Sequence, residues 1–85
     1  MKIKNPGQYT VRDSDDVVQV IGTGEGVVIR QNGGEVSTFG KSAPIIIMTD
    51  GDVSTFDTST PVITITGGDI MTFDTSAPVI HKRNL

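Results

Sequence analysis

Residues 33–49 read GGEVSTFGKSAPIIIMT, residues 50–66 read DGDVSTFDTSTPVITIT, and residues 67–83 read GGDIMTFDTSAPVIHKR. These stretches are three copies of one 17-residue unit. Ten of 17 positions are identical between the second and third copies, and nine of 17 between the first and second. Copying at a fixed period is the sequence signature of architectures in which each unit stacks on the next.

Each unit divides into two half-units of eight or nine residues. A half-unit has four or five residues rich in Val, Ile, Thr and Phe, followed by turn residues such as Gly, Asp, Ser and Pro, which is typical of a β-strand and a turn. The same spacing continues backward to Val27 and Val18, so it covers most of the chain. The half-units predict strands and no helix, and they open at Val36, Ile45, Val53, Val62, Ile70 and Val79.

Three all-β arrangements use strands this short: a hairpin meander closed into a sandwich or barrel, a single-chain β-solenoid with 17 residues per coil, and a β-helix wound from three identical chains. Stacking favours the last two, because each rung must present the same shape about 4.7 to 4.9 Å above its neighbour. The single-chain form predicts two ladders of repeated side chains on opposite sides of the strand, formed by Phe39, Phe56 and Phe73 and by Thr38, Thr55 and Thr72.

The second half-unit favours association between chains. Strand side chains alternate between two sides, yet residues 45–48 are apolar on both sides. We therefore expect a lone solenoid to expose an apolar row such as Ile46, Ile63 and Ile80, and such rows usually mark an interface. An intertwined homotrimer is favoured, with an oligomer interface formed by Ile45, Ile46, Ile47, Val62, Ile63, Val79 and Ile80.

Composition limits the class of protein. The 85 residues suffice for one domain and include no cysteine, so disulfides cannot stabilise a core of this size, and association would. Ten acidic against seven basic residues give a net charge of −3, which disfavours nucleic-acid binding. No apolar stretch approaches the roughly 20 residues of a membrane span. We predict an N-terminal arm at 1–8, a β-repeat domain at 9–81 and a basic C-terminal tail at 82–85.

The chain shows no catalytic constellation. His81 is the only histidine, and no cysteine is present to join it, so we predict neither an enzyme nor a cofactor or metal site. Acidic residues recur at 17-residue spacing and leave calcium as an alternative, although the repeat of calcium β-rolls is missing and solvated turn carboxylates are favoured. These acidic residues are Glu35, Asp52 and Asp69 in one series and Asp57 and Asp74 in another.

The repeat over residues 9–81, in which Val or Ile opens each strand and Gly, Asp, Ser and Thr fill the turns, resembles the intertwined β-helices of bacteriophage spikes, fibres and head-decoration proteins. Threonine stands at residues 38, 55 and 72, where phage spikes often have glycine. The resemblance implies a non-enzymatic virion structural protein, made in the host cytoplasm, that forms a homotrimer.

The resemblance also implies attachment to larger virion proteins through one terminus. The residues expected to make this attachment are Lys2, Ile3, Lys4, Lys82 and Arg83. The alternative function is that of a surface or secreted β-solenoid that binds glycan or ice, since flat rows of threonine resemble the surface of antifreeze proteins.

Overall fold

The structure, a computed structural model, describes residues 1–15 and 17–83. Every strand pairing in it is parallel, which excludes the hairpin meander because hairpins pair antiparallel. The predicted fold of short stacked strands is confirmed, and in these ranges no helix is long and apolar enough to cross a membrane. The strands are β1 (Lys2–Ile3), β2 (Gly7–Val11), β3 (Val18–Val20), β4 (Val27–Thr38), β5 (Ile45–Thr55), β6 (Val62–Ile65), β7 (Asp69–Thr72) and β8 (Val79–Lys82).

The strands wind into a β-solenoid of about five coils with a repeat near 17 residues. In each coil a strand on one side, here called the first face, leads through a loop to a strand on the second face, and a bend then starts the next coil. From the second coil onward these bends are rich in glycine. The first face contains β1, β3, residues 36–38, residues 53–55 and β7. The second face contains β2, residues 27–31, residues 45–48, β6 and β8.

Each rung stacks on a rung of the same chain. On the first face Val36 pairs with Val53, and on the second face Ile46 pairs with Ile63, each pair one 17-residue unit apart. The structure therefore has the single-chain form of the predicted fold. The favoured intertwined form is not what this chain adopts, because it would place other chains between these rungs.

Proline ends the loop that leads to the second face. Pro44, Pro61 and Pro78 stand directly before β5, β6 and β8. A proline directly before a strand costs no ladder hydrogen bond, since its missing N–H falls outside the ladder. The proline carbonyls still contribute, because Pro44 accepts from the Val62 amide at 3.0 Å and Pro61 from the Val79 amide at 2.9 Å.

The N-terminal residues belong to the first coil. Lys2 and Ile3 pair with Gln19 and Val20, and the side chain of Ile3 is only 2% exposed. Gly7 and Gln8 open β2, which pairs with β4. The predicted arm at residues 1–8 is therefore wrong as a structural boundary. A search for the 17-residue motif does not find this coil, because the coil has a different spacing: Tyr9 pairs with Ile29, 20 residues later.

The basic tail also begins later than predicted. Lys82 is the last residue of β8 and pairs with Ile65, and the Arg83 amide donates to the Ile65 carbonyl at 3.0 Å. Residue 82 is thus part of the sheet. Residues 84–85 of the predicted tail lie outside the described residues.

The core lies between the two faces. Along the strands of the inner coils, such as β3 and β6, buried residues alternate with residues that face outward, as a half-buried strand requires. One apolar cluster joins the faces and contains Ile3, Val11, Val18, Val20, Val27, Ile29, Val36, Ile46, Met48, Val53, Ile63 and Ile65.

Candidate functional surface

An apolar stripe runs along the outside of the second face. It consists of one row of paired residues, Val28, Ile45, Val62 and Val79, together with Ile47, and we call it the outer stripe. Ile45 is 47% exposed, Val62 36% and Val79 48%. Four rungs separated by about 4.8 Å give the row a length of about 14 Å. The outer stripe is the continuous apolar surface that the sequence predicts, with a different set of members.

The predicted exposed row of Ile46, Ile63 and Ile80 is wrong. Ile46 and Ile63 point into the core of their own chain and have no exposed surface, so neither is available to an oligomer interface. Ile80 pairs with Ile63 and has the same inward position, but it is 42% exposed because it belongs to the last coil described. Of the predicted interface residues, those that face outward are Ile45, Ile47, Val62 and Val79.

The phenylalanine ladder is present. The ring centroids of Phe39 and Phe56 are 5.0 Å apart, those of Phe56 and Phe73 are 4.9 Å apart, and the planes differ by 5° in both pairs. Each aromatic pair contributes about 0.5 to 1.5 kcal/mol beyond the area that it buries. The ladder therefore holds three successive coils in register.

The threonine ladder faces the interior. Thr38 and Thr55 have no exposed surface, and Thr72 is exposed only because it lies in the last coil described. A buried ladder cannot contact ice, so the ice-binding interpretation of these threonines is wrong. Their Oγ1 atoms instead bond to serine hydroxyls of the next coil at 2.8 Å, Thr38 to Ser59 and Thr55 to Ser76.

The buried serine ladder is a feature that sequence reasoning missed. Ser42, Ser59 and Ser76 recur at 17-residue spacing, and this recurrence was the available signal. Ser59 and Ser76 also donate to the carbonyl three residues before them, at 2.7 and 2.6 Å. Ser42 Oγ has no hydrogen-bond partner among the described residues, and the residue that corresponds to Thr38 one coil earlier is Val20, which has no hydroxyl to offer it.

The two acidic series have different environments. Glu35, Asp52 and Asp69 pair directly from coil to coil, as predicted for stacked rungs. The Asp57 carboxylate accepts the Gly40 amide of the preceding coil at 2.8 Å, and the Asp74 carboxylate accepts the Asp57 amide at 3.0 Å. Asp57 is thus bound to the backbone as an acceptor, and in the described ranges no three metal-binding side chains are grouped closely enough to hold an ion.

Asp57 has a second role in the backbone. Its φ is +58°, in the left-handed region that glycine, asparagine and aspartate tolerate best, and Gly40 and Asp74 have φ values of +62° and +57°. We expect Asp57→Ala to lower the free energy of unfolding by about 2 to 3 kcal/mol, because it removes both an acceptor and a tolerated conformation. Asp57→Asn keeps an acceptor oxygen and the backbone preference, so its loss should stay below about 1 kcal/mol.

Urea unfolding followed by circular dichroism measures these differences. Adding calcium or EDTA to the wild-type chain serves as the control for a bound ion, which would raise the midpoint by mass action. A midpoint that rises with calcium and falls with EDTA would contradict the assignment of Asp57 to backbone bonding.

The predicted attachment residues lie at opposite ends of the solenoid. Lys2 and Lys4 are exposed in the first coil, whereas Lys82 and Arg83 are exposed in the last coil described. Ile3 is buried and cannot contact another protein without unfolding the coil. His81 is exposed on the outward side of β8. The structure therefore separates the basic residues into two groups.

No protein-family model, curated protein or solved structure matches the chain.

Proposed function

We propose that the chain is a non-enzymatic structural protein of a bacteriophage virion: a spike, a fibre segment or a capsid decoration. Three single-chain solenoids lie side by side in this proposal, and their outer stripes meet along the common axis. The observation that carries the proposal is the outer stripe, which exposes apolar side chains on successive rungs of a regular sheet. The resemblance of the repeat to phage β-helices is the reason for proposing that the chain belongs to a virion.

The two faces of the solenoid differ in a way that supports association through the second face. Outward positions on the first face include Gln19, Ser37 and Ser54, which are polar. The corresponding positions on the second face include Ile45 and Val62, which are apolar. Met71, which pairs with Ser54 and is 49% exposed, is an apolar exception on the first face. The outward side of the second face is still the more apolar of the two, and covering it is favourable because water contact with apolar surface costs about 25 cal/mol per Å².

Charge on the outer stripe permits close approach of identical chains. The two outward rows of the second face carry Arg30 near one end and His81 at the other, and no carboxylate stands between them. Between these ends the rows contain the apolar residues of the stripe and Thr64. A threefold axis places the three copies of Arg30 at one level and those of His81 at another, and between these two levels the stripes meet without charged residues.

The same geometry suits a mechanical role. Parallel rungs, a stacked phenylalanine ladder and a buried serine–threonine network tie each coil to the next. In the proposal Lys2 and Lys4, or Lys82 and Arg83, attach the trimer to acidic surfaces of larger virion proteins. Attachment through a charged end would leave the outer stripes free to form the trimer.

Light scattering tests the trimer. We expect a mass three times the 9.0 kDa of the chain, and a return to 9.0 kDa in the double variant Ile45→Ser and Val62→Ser with an unchanged circular dichroism spectrum. Val17→Ser is the matched control, since Val17 is 44% exposed but lies outside the stripe. A wild-type chain of 9.0 kDa at all concentrations would contradict the trimer.

Immunogold labelling tests whether the chain is part of the virion. Antibodies raised against the 85-residue chain should label phage particles purified from the organism that encodes it. Particles that contain no copies of the chain by mass spectrometry, from cells that express it, would contradict the proposed location.

A further inference from the structure

The two ends of the solenoid differ. The first coil is closed: Val11 has no exposed surface, and the half-buried Tyr9 packs against the core and donates its hydroxyl proton to the Asn5 carbonyl at 2.8 Å. We call the opposite end, formed by β7 and β8 with the loop between them, the open end. There Phe73 is 43% exposed and Ile80 is 42% exposed, although the equivalent Ile63 is fully buried.

Hydrogen-bonding groups also lack a covering coil at the open end. In the preceding coil Thr55 Oγ1 bonds to Ser76 Oγ, and the Asp57 amide donates to the Asp74 carboxylate. Thr72 and Asp74 are the equivalents of Thr55 and Asp57, and the part of the chain that the structure describes places no coil above them. Within residues 1–15 and 17–83, β7 and β8 each pair on one side only, and the other edge of each strand is unpaired there.

Charge divides the open end into two halves. On the first face Asp69 begins β7 and Asp74 follows it. On the second face β8 ends with His81 and Lys82, and Arg83 follows. Asp69 and Lys82 both lie on the side of the glycine-rich bends, because β7 begins there and β8 ends there. The open end is thus acidic on one face and basic on the other.

We propose that the open end is a docking surface for a second copy of this chain, related by a two-fold axis parallel to the strands. That rotation places the first face of one copy on the second face of the other, with the strands antiparallel. β7 of each copy then extends along the free edge of β8 in the other, and Asp69 approaches Lys82 of the second copy. Ile70 and Ile80 both face inward, so the apolar interior continues across the contact.

A second copy fits this surface because the contact between β7 of one copy and β8 of the other forms twice, once on each face. The two-fold axis repeats the pairing of acidic and basic faces, and the assembly closes at two copies. An end of a molecule measuring 31 × 24 × 19 Å can bury on the order of 500 Å² per copy, near the lower limit for a specific interface. The association is therefore expected to be weak and sensitive to salt. It does not use the outer stripe and goes beyond the proposed trimer.

A charge exchange between two variants tests the proposal. Both variants carry Ile45→Ser and Val62→Ser, which removes association through the outer stripe. This background chain is expected to approach twice 9.0 kDa at high concentration and to dissociate as salt rises to about 1 M. Asp69→Lys alone and Lys82→Glu alone should each weaken self-association about tenfold or more, because each places like charges opposite each other twice.

Mixing the two variants should restore the dimer, since residue 69 of each copy then faces an opposite charge at residue 82 of the other. Glu35→Lys is the control, because Glu35 stands in the same acidic series two coils away. A background chain that stays at 9.0 kDa, or a mixture that does not associate, would overturn the proposal. So would growth into polymers, which would require the closed end. The trimer is judged separately, on the chain with an intact outer stripe.

Discussion

Ile46→Ala is expected to lower the free energy of unfolding by about 2 to 5 kcal/mol, whereas Ile45→Ala should lower it by less than about 1 kcal/mol in the dissociated chain. The two residues are neighbours of the same type in the same strand. Ile46 is fully buried in the core, and Ile45 is 47% exposed on the outer stripe. Alanine at residue 46 leaves a cavity between the two faces, because paired rungs above and below hold the backbone in place.

The loss at Ile46 is a large part of the stability of a chain this size, which for small domains totals about 5 to 15 kcal/mol. Urea unfolding of both variants, measured at concentrations where the chain is dissociated, gives the two values. Equal losses at the two positions would mean that the strand has the opposite phase or is covered on both sides. A larger loss at Ile45 than at Ile46 would contradict the inward position of Ile46.

Ile45 and Ile46 also show which feature of the fold the sequence does not determine. The period, the parallel stacking and the phenylalanine ladder follow from the copied unit, because identical residues at a fixed spacing must stack on one another. The phase of the second-face strand does not follow, since residues 45–48 are apolar on both sides and a shift by one residue exchanges the inner and outer sets. The phase was indicated only by Thr64, a polar residue that faces outward beside the buried Ile63.

The first coil was missed for a different reason. Residues 1–11 contain no copy of the 17-residue motif, and their pairing to the next coil is offset by 17 residues in β1 but by 20 in β2. Tyr9 stands in this coil at a position where later coils have isoleucine, and it packs against the apolar cluster.

Gly51→Ala is expected to cost about 3 kcal/mol or more, and Gly40→Ala only about 1 to 2 kcal/mol. Both glycines have positive φ, +96° at Gly51 and +62° at Gly40, so alanine is strained at either position. They differ in the space around them. A Cβ at Gly51 would lie 2.6 Å from the Gly34 carbonyl oxygen, whereas a Cβ at Gly40 has no atom within 4 Å.

The cost at Gly51 comes from the close stacking of the bends. Backbone of the preceding coil cannot move away without breaking the rung pairing, and the same Cβ would lie 2.8 Å from Gln31 Nε2. That nitrogen donates to the carbonyls of Gly34 and Asp52 at 3.1 and 2.9 Å, so displacing it would leave a buried amide unsatisfied. Alanine at residue 51 therefore strains the backbone, creates a clash and weakens a buried hydrogen bond together.

Urea unfolding of the two glycine variants separates the cost of the Cβ clash at Gly51 from the cost of a positive φ, which both positions share. The left-handed strain is common to both, so the difference between them, about 1 to 2 kcal/mol, measures the contact between successive bends. Equal losses would mean that the bends do not touch and that the coils are held by the faces alone. A larger loss at Gly51 would show that the bend is a third line of contact along the solenoid, beside the two strand ladders.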